Sequence, residues 1–257
     1  MSKVRNAWFG QVFLPLFPIN GGKKYTIMFA LLKDLLALVY PDVCAVCGNS
    51  LTEREQIICI DCEHHLPRTR FHNDAENPVM MSFWGRVELS FATAFLYFRR
   101  GTSTQHLLHK LKYKGKKQIG RYLGELFALE LVRSEFFQTV DAIIPVPLHP
   151  AKKRKRGFNQ SEIIAHGMAR VMEAKVLDKV LMRKTFSSTQ TRKSRFERWK
   201  NVENIFSVEE EERLAGLHVM VIDDVITTGA TMEACLQALS EIDGIVLSAG
   251  AIAFASK

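Results

Sequence analysis

Val219-Met220-Val221-Ile222-Asp223-Asp224-Val225-Ile226-Thr227-Thr228-Gly229-Ala230-Thr231 is the stretch whose reading decides the fold. Its first residues are apolar and mostly β-branched, as in a buried strand. The strand is expected over 219–223, closing on two adjacent carboxylates. Small hydroxyl residues and a glycine follow, and Met232-Glu233-Ala234-Cys235-Leu236-Gln237-Ala238-Leu239 reads as a helix. A loop between a strand and a helix amino terminus directs backbone N–H groups at an anion. The threonines add donors, and Gly229 lets the backbone approach a ligand closely. A phosphate beside Asp223 and Asp224 would be repelled, so the carboxylates suit sugar hydroxyls or a metal ion. A buried strand capped by an Asp-containing turn is the bland alternative. The order and spacing of carboxylates, threonines and glycine argue against it.

That order, an apolar strand, Asp-Asp, then Thr-Thr-Gly-Ala-Thr, resembles the phosphoribosyl diphosphate (PRPP) motif of type I phosphoribosyltransferases. The resemblance implies that Asp223 and Asp224 contact the ribose 2′- and 3′-hydroxyls and act as the catalytic pair. Thr227, Thr228, Gly229, Ala230 and Thr231 would hold the 5′-phosphate.

The 257 residues carry a formal charge of +8 and an ordinary apolar content of 47%. That suits one large domain, or a domain with a small module, and leaves a substantial core. A basic balance favours polyanionic partners without naming one. The basic residues cluster at Lys110 to Arg121, at Lys152 to Arg156, and between Arg183 and Lys200. Each cluster alone reads equally well as a solvated face; three around a phosphate motif point toward diphosphate or nucleic-acid contact. No stretch is long and apolar enough to span a bilayer. Ile27 to Tyr40 is short and interrupted by Lys33 and Asp34, and Phe9 to Ile19 lacks a small-residue cleavage site, which argues against a signal peptide. A cytoplasmic location is expected. Met28 opens the first orderly amphipathic helix, so residues 1–27 read as an extension, with Met28 an alternative start.

Four of the five cysteines form Cys44-Ala45-Val46-Cys47 and Cys59-Ile60-Asp61-Cys62. Each pair places two thiolates on one knuckle, and two knuckles complete a tetrahedral Zn²⁺ site. Gly48 permits the tight turn after the first pair. Two disulfides or a redox pair are the alternatives, disfavoured by a reducing cytosol and by the missing thioredoxin-like context. Four thiolates leave no open position, so the zinc is structural, and His64 and His65 are expected at the surface. Cys235 reads as an ordinary buried thiol.

Between these landmarks, Ser90 to Phe98 reads as a strand, and Thr104 to Phe137 as two helices broken at Tyr113-Lys114-Gly115. Val140 to Val146 reads as an inner parallel strand, closed by Pro145 and Pro147. The loop after it lies where ligands bind in open α/β sheets. Lys152 to Arg156 is expected as a basic loop near a diphosphate, carried by Arg154, Lys155 and Arg156. Asn159 is the expected N-cap of a helix to Met172, offering a second anion site. A last strand is expected near 245–254. Candidate base-stacking aromatics are Tyr113, Phe158, Phe196 and Trp199, each equally suited to packing.

Taken together, the two C-x-x-C pairs, Lys112-Tyr113-Lys114-Gly115, Pro145-Val146-Pro147-Leu148-His149-Pro150, Arg154 to Gln160 and the Asp-Asp loop resemble the ComF/GntX family from about Leu31 onward. Thr189-Gln190-Thr191 also resembles that family, although Lys193 stands where an apolar residue is common. The resemblance implies an α/β fold: a type I phosphoribosyltransferase-like, Rossmann-type domain with a mainly parallel sheet over 71–257, and a helix plus small N-terminal zinc-binding module over 28–70. It implies binding of PRPP or a related ribose phosphate, in DNA uptake during natural competence, with Mg²⁺ accompanying the diphosphate. Single-stranded DNA and competence proteins such as a DNA helicase are the implied partners. No acceptor site is readable. Phosphoribosyl transfer to an acceptor, single-stranded DNA binding without turnover, and PRPP sensing therefore remain three readings.

Overall fold

A computed structural model describes residues 41–183 and 205–255 of the chain. Its centre is a five-stranded sheet built from β1 (Phe91–Tyr97), β2 (Ala142–Pro145), β3 (Lys175–Val176), β6 (His218–Ile226) and β7 (Val246–Phe254). The strand order is β1-β7-β6-β2-β3, and every neighbouring pair is parallel. The strands expected at 90–98, 140–146, 219–223 and 245–254 are all present. Two more, β4 (Leu181–Arg183) and β5 (Phe206–Val208), form a short antiparallel pair that the sequence reading missed. At two or three residues a strand leaves too little periodicity to read.

Seven α-helices occur among the described residues: α1 (Ile60–His64), α2 (Pro78–Met81), α3 (Ser103–Lys114), α4 (Lys117–Leu131), α5 (Pro150–Arg156), α6 (Gln160–Met172) and α7 (Ala230–Leu239). The expected break at Tyr113-Lys114-Gly115 separates α3 from α4, with Gly115 as the left-handed C-cap. Successive side chains of β6 point to opposite faces. Met220 and Ile222 join a buried cluster with Leu111, Leu123, Phe127, Ile164 and Met168. Val219 and Val221 join Phe83, Met232, Cys235, Leu236 and Leu239 on the other face. Both faces of the sheet are therefore covered, which is why β6 reads as a continuous apolar run.

Helices α4 and α6 meet at glycines. A Cβ on Gly124 would stand 2.4 Å from the Ile164 carbonyl oxygen, and one on Gly167 would stand 2.2 Å from that of Arg121. Backbones this close leave no room for a larger residue, and the contact fixes α6, whose amino terminus enters the site.

The basic run 152–156 is a correction. It is helix α5, with Pro150 in the first turn and His149 Nδ1 accepting from Ala151 N. Proline suits that position, lysine and arginine favour helix, and their charge complements the carbonyl end next to Gly157. The described residues from Val43 onward belong to one compact unit. Within it Cys44, Ile58 and Leu66 share the buried cluster of Phe95, Leu107 and Leu111. The expected 1–27 extension, the Thr189–Thr191 segment, Lys193, Phe196 and Trp199 lie outside the described residues.

Candidate functional site

Strand β6 runs three residues past the expected end at Asp223, because Val225 and Ile226 still pair with Ala253 and Phe254 of β7. On its other side the partner β2 stops at Pro145, opposite Ile222. Val146 N makes one more bond, to Ile222 O, and Pro147 then has no N–H to continue. Asp223 and Asp224 therefore occupy a strand whose β2-facing edge is free. The chain leaves β2 through α6 toward β3, and leaves β6 through α7 toward β7. The connections diverge here, and such a crevice at the carboxyl ends is where open α/β sheets bind ligands.

The crevice is a cleft of about 270 Å³ lined by Asp223, Asp224 and Thr231, by Val146 to Leu148, by Asn159 to Ser161, and by Lys112, Tyr113, Lys152, Arg156 and Arg183. Asn159 caps α6 as expected: its Oδ1 accepts from Ser161 N at 3.2 Å while its Nδ2 donates to Val146 O at 2.9 Å. One side chain thus ties the loop after β2 to the helix amino terminus. Ser161 Oγ then donates to Asp223 Oδ1 at 2.9 Å, and Asp224 N donates to the same oxygen at 2.7 Å. Burial, with the neighbouring Asp224 charge adding to it, raises the Asp223 carboxyl from 3.8 to about 7 against those hydrogen bonds. Lys112 Nζ reaches from the last turn of α3 to Asp224 Oδ2 at 2.7 Å, with 23% and 12% of the two side chains exposed.

Thr227 to Thr231 adjoin this cleft. With Asp223, Val225, Ile226 and Met232, they line a small hollow of about 40 Å³ at the amino terminus of α7. Gly229 takes φ 78°, the left-handed conformation in which glycine carries no penalty, and Phe83 lies beneath it. N–H groups and the helix dipole meet there, which suits a phosphate. Of the three basic residues expected at the diphosphate, Arg156 lines the cleft of the carboxylates. Arg154 lines a neighbouring cleft, and Lys155 is exposed and lines neither. Phe158 is buried, with Lys117 Nζ 5.2 Å from its ring centroid, so it packs. Tyr113 is 69% exposed, and the Arg156 guanidinium lies 5.6 Å from its ring.

Lys112 and Ser161 were not singled out from sequence as ligands of the acidic pair. Lys112 is one of several lysines in its cluster, and only the packing of α3 selects it.

On the Lys110 side of α3, where Lys110 Nζ donates to Ala45 O, the Sγ atoms of Cys44, Cys47, Cys59 and Cys62 all lie within 4.8 Å of one another. Cys44 Sγ accepts from Val46 N at 3.4 Å and Cys59 N at 3.3 Å, and Cys59 Sγ from Cys62 N at 3.5 Å. Burial opposes ionisation of Cys44, yet the Cys59, Cys47 and Val46 donors prevail and bring its thiol down to about 6. Four converging sulfurs could hold a metal ion such as zinc. His64 and His65 are exposed, and Cys235 is buried, its thiol raised by that burial.

Magnesium finds no comparable donor set at the acidic pair. It demands near-octahedral oxygen ligands at about 2.0–2.1 Å. One oxygen of Asp223 already accepts two hydrogen bonds, and one oxygen of Asp224 holds an ammonium. The carboxylates as arranged do not fit a protein-held magnesium ion.

An acidic strand end, a hydroxyl-rich loop and a helix amino terminus meet at the crevice of an open, parallel α/β sheet. No protein-family model matches the chain. It is 29% identical over 208 residues to the DNA utilization protein YhgH of Escherichia coli K12, covering 79% of this chain and 86% of that protein. Competence protein F of Haemophilus influenzae is 30% identical over 130 residues, 49% of this chain and 57% of that protein. Competence protein ComFC of Bacillus subtilis is 23% identical over 217 residues, 81% and 76% of the two chains. The chain is thus similar to DNA utilization and competence proteins. Among solved structures, a glutamine phosphoribosylpyrophosphate amidotransferase from B. subtilis overlays 51% of this chain at 20% identity and a TM-score of 0.36. The chain spans 25% of that protein's length.

Proposed function

We propose that the cleft binds PRPP or a related ribose phosphate, and that the protein serves DNA uptake, as the names of its competence relatives suggest. One observation carries the ligand. The acidic strand end, the hollow formed by residues 227–231 and a group of four cations lie at one crevice. Two carboxylates suit a vicinal diol, the hollow suits a terminal phosphate, and the cations suit a second phosphate group across the cleft. If transfer occurs, an acceptor forms a bond to ribose C1 as the C1–oxygen bond breaks and diphosphate leaves with the electron pair. Charge stabilisation and positioning would supply the acceleration, so no protein nucleophile is needed. Zinc on Cys44, Cys47, Cys59 and Cys62 would be structural, since four thiolates leave it no open position.

Calorimetric titration of the full chain with PRPP and with ribose 5-phosphate tests this reading. Binding of both, weakened at least about tenfold in Asp224→Asn, is the expected result. Diphosphate release on adding candidate acceptors would establish transfer; binding without release would favour a sensor. Absence of binding at millimolar ligand would defeat the ribose-phosphate reading. The exposed Tyr113 beside Arg156 and the basic face of α5 favour a second reading, single-stranded DNA at the rim of the cleft. Oligonucleotide affinity falling steeply with salt, and less steeply after neutralising Lys152 and Arg156, would support it.

A further inference from the structure

Lys112 stands apart from the other cations of the cleft because it is already in contact with the acidic pair. We propose that Lys112 is the built-in counter-ion of this site, supplying the charge that a divalent cation would otherwise bring, so that a ribose phosphate binds without magnesium. This rests on the ribose-phosphate reading of the cleft.

Position is the first argument. Leu107, Leu108 and Leu111 are buried and fix the face of α3, and Lys110 Nζ donates to Ala45 O at 2.8 Å. The helix end is thereby held, and its carbonyls favour a cation in the last turn. Lys112 Nζ consequently stays at 2.7 Å from Asp224 Oδ2 within a largely buried pair. Charge is the second. Lys112, Lys152, Arg156 and Arg183 face Asp223 and Asp224 in one cleft, leaving an excess of positive charge before any ion enters. A dication approaching Asp224 would meet the Lys112 ammonium at the same carboxylate. Capacity is the third. An ammonium has three N–H donors and can hold Asp224 and a phosphate oxygen together. Asp223 is anchored separately by Ser161, so binding does not require the acidic pair to rearrange.

The test is calorimetric titration of the full chain with PRPP and ribose 5-phosphate, in magnesium-containing buffer and in resin-treated buffer. Lys112→Met and Lys112→Arg are measured alongside, with melting temperatures as the folding control. Wild type is expected to bind PRPP equally in both buffers, within about twofold. Lys112→Met should lose at least about tenfold in resin-treated buffer and recover on adding magnesium, whereas Lys112→Arg should remain indifferent to the ion. Wild-type binding that vanishes without magnesium, or a folded Lys112→Met that binds normally without it, would overturn the counter-ion role and leave the ribose-phosphate site standing. No binding of either ligand by wild type in any buffer would remove the site and this proposal together.

Discussion

Asp223 carries an unusual burden for a carboxylate. Burial and the adjacent Asp224 charge raise it to about 7, while Ser161, the Asp224 N–H and Lys112 pull the other way. In the unfolded chain it titrates near 3.8, so between about pH 4 and 7 the folded protein holds a proton that the unfolded protein has released. Stability linked to this group is fully present below its unfolded value and is lost as pH rises through about 7. Melting temperatures across that window should fall less with rising pH in Asp223→Asn than in wild type. Parallel profiles would show that Asp223 titrates ordinarily. The carboxylates, threonines and Gly229 were legible in sequence because they are neighbours on one short loop. Lys112 and Ser161 were not, because each lies at least sixty residues from the aspartate it touches.

Local chemistry made most elements readable. Helix α7, strand β7 and the α3–α4 break follow from periodicity and a capping glycine, and α6 begins at its expected N-cap. Helix α5 was misread as a loop because its lysines and arginines have no apolar face to reveal a period. The contact of α4 with α6 is a tertiary matter, since nothing near Gly167 announces a carbonyl 2.2 Å from its missing Cβ. Gly167→Ala should overpack that crossing and cost about 1–3 kcal/mol, read as a lower urea midpoint. An unchanged midpoint would mean that the helices separate freely. The cysteine knuckles are also tied to an element, because Lys110 of α3 bonds the Ala45 carbonyl between Cys44 and Cys47. Elemental analysis should find about one zinc per chain, and its chelation should lower the melting temperature. A preparation well below that content, yet equally stable, would argue for a metal-free thiol cluster.

For the whole molecule, the sheet order decides what the motif can do. With β6 central, flanked by β7 and β2, the connections part at its carboxyl end and open a crevice over Asp223 and Asp224. Basic residues from α3, α5 and β4 converge there although 71 residues separate Lys112 from Arg183. Among the described residues no helix is long and apolar enough to cross a membrane. The amino-acid sequence by itself determined the strand–loop–helix cradle, the cluster of four cysteines and the parallel α/β class. Each is written in residues a few positions apart, where backbone geometry and side-chain period act directly. Tertiary structure alone decided which cations face the carboxylates, that Lys112 occupies Asp224, and that Arg156 rather than Lys155 reaches the cleft. Those pairings depend on how helices far apart in the chain pack against one sheet, and charge in a sequence carries no direction until that packing is made.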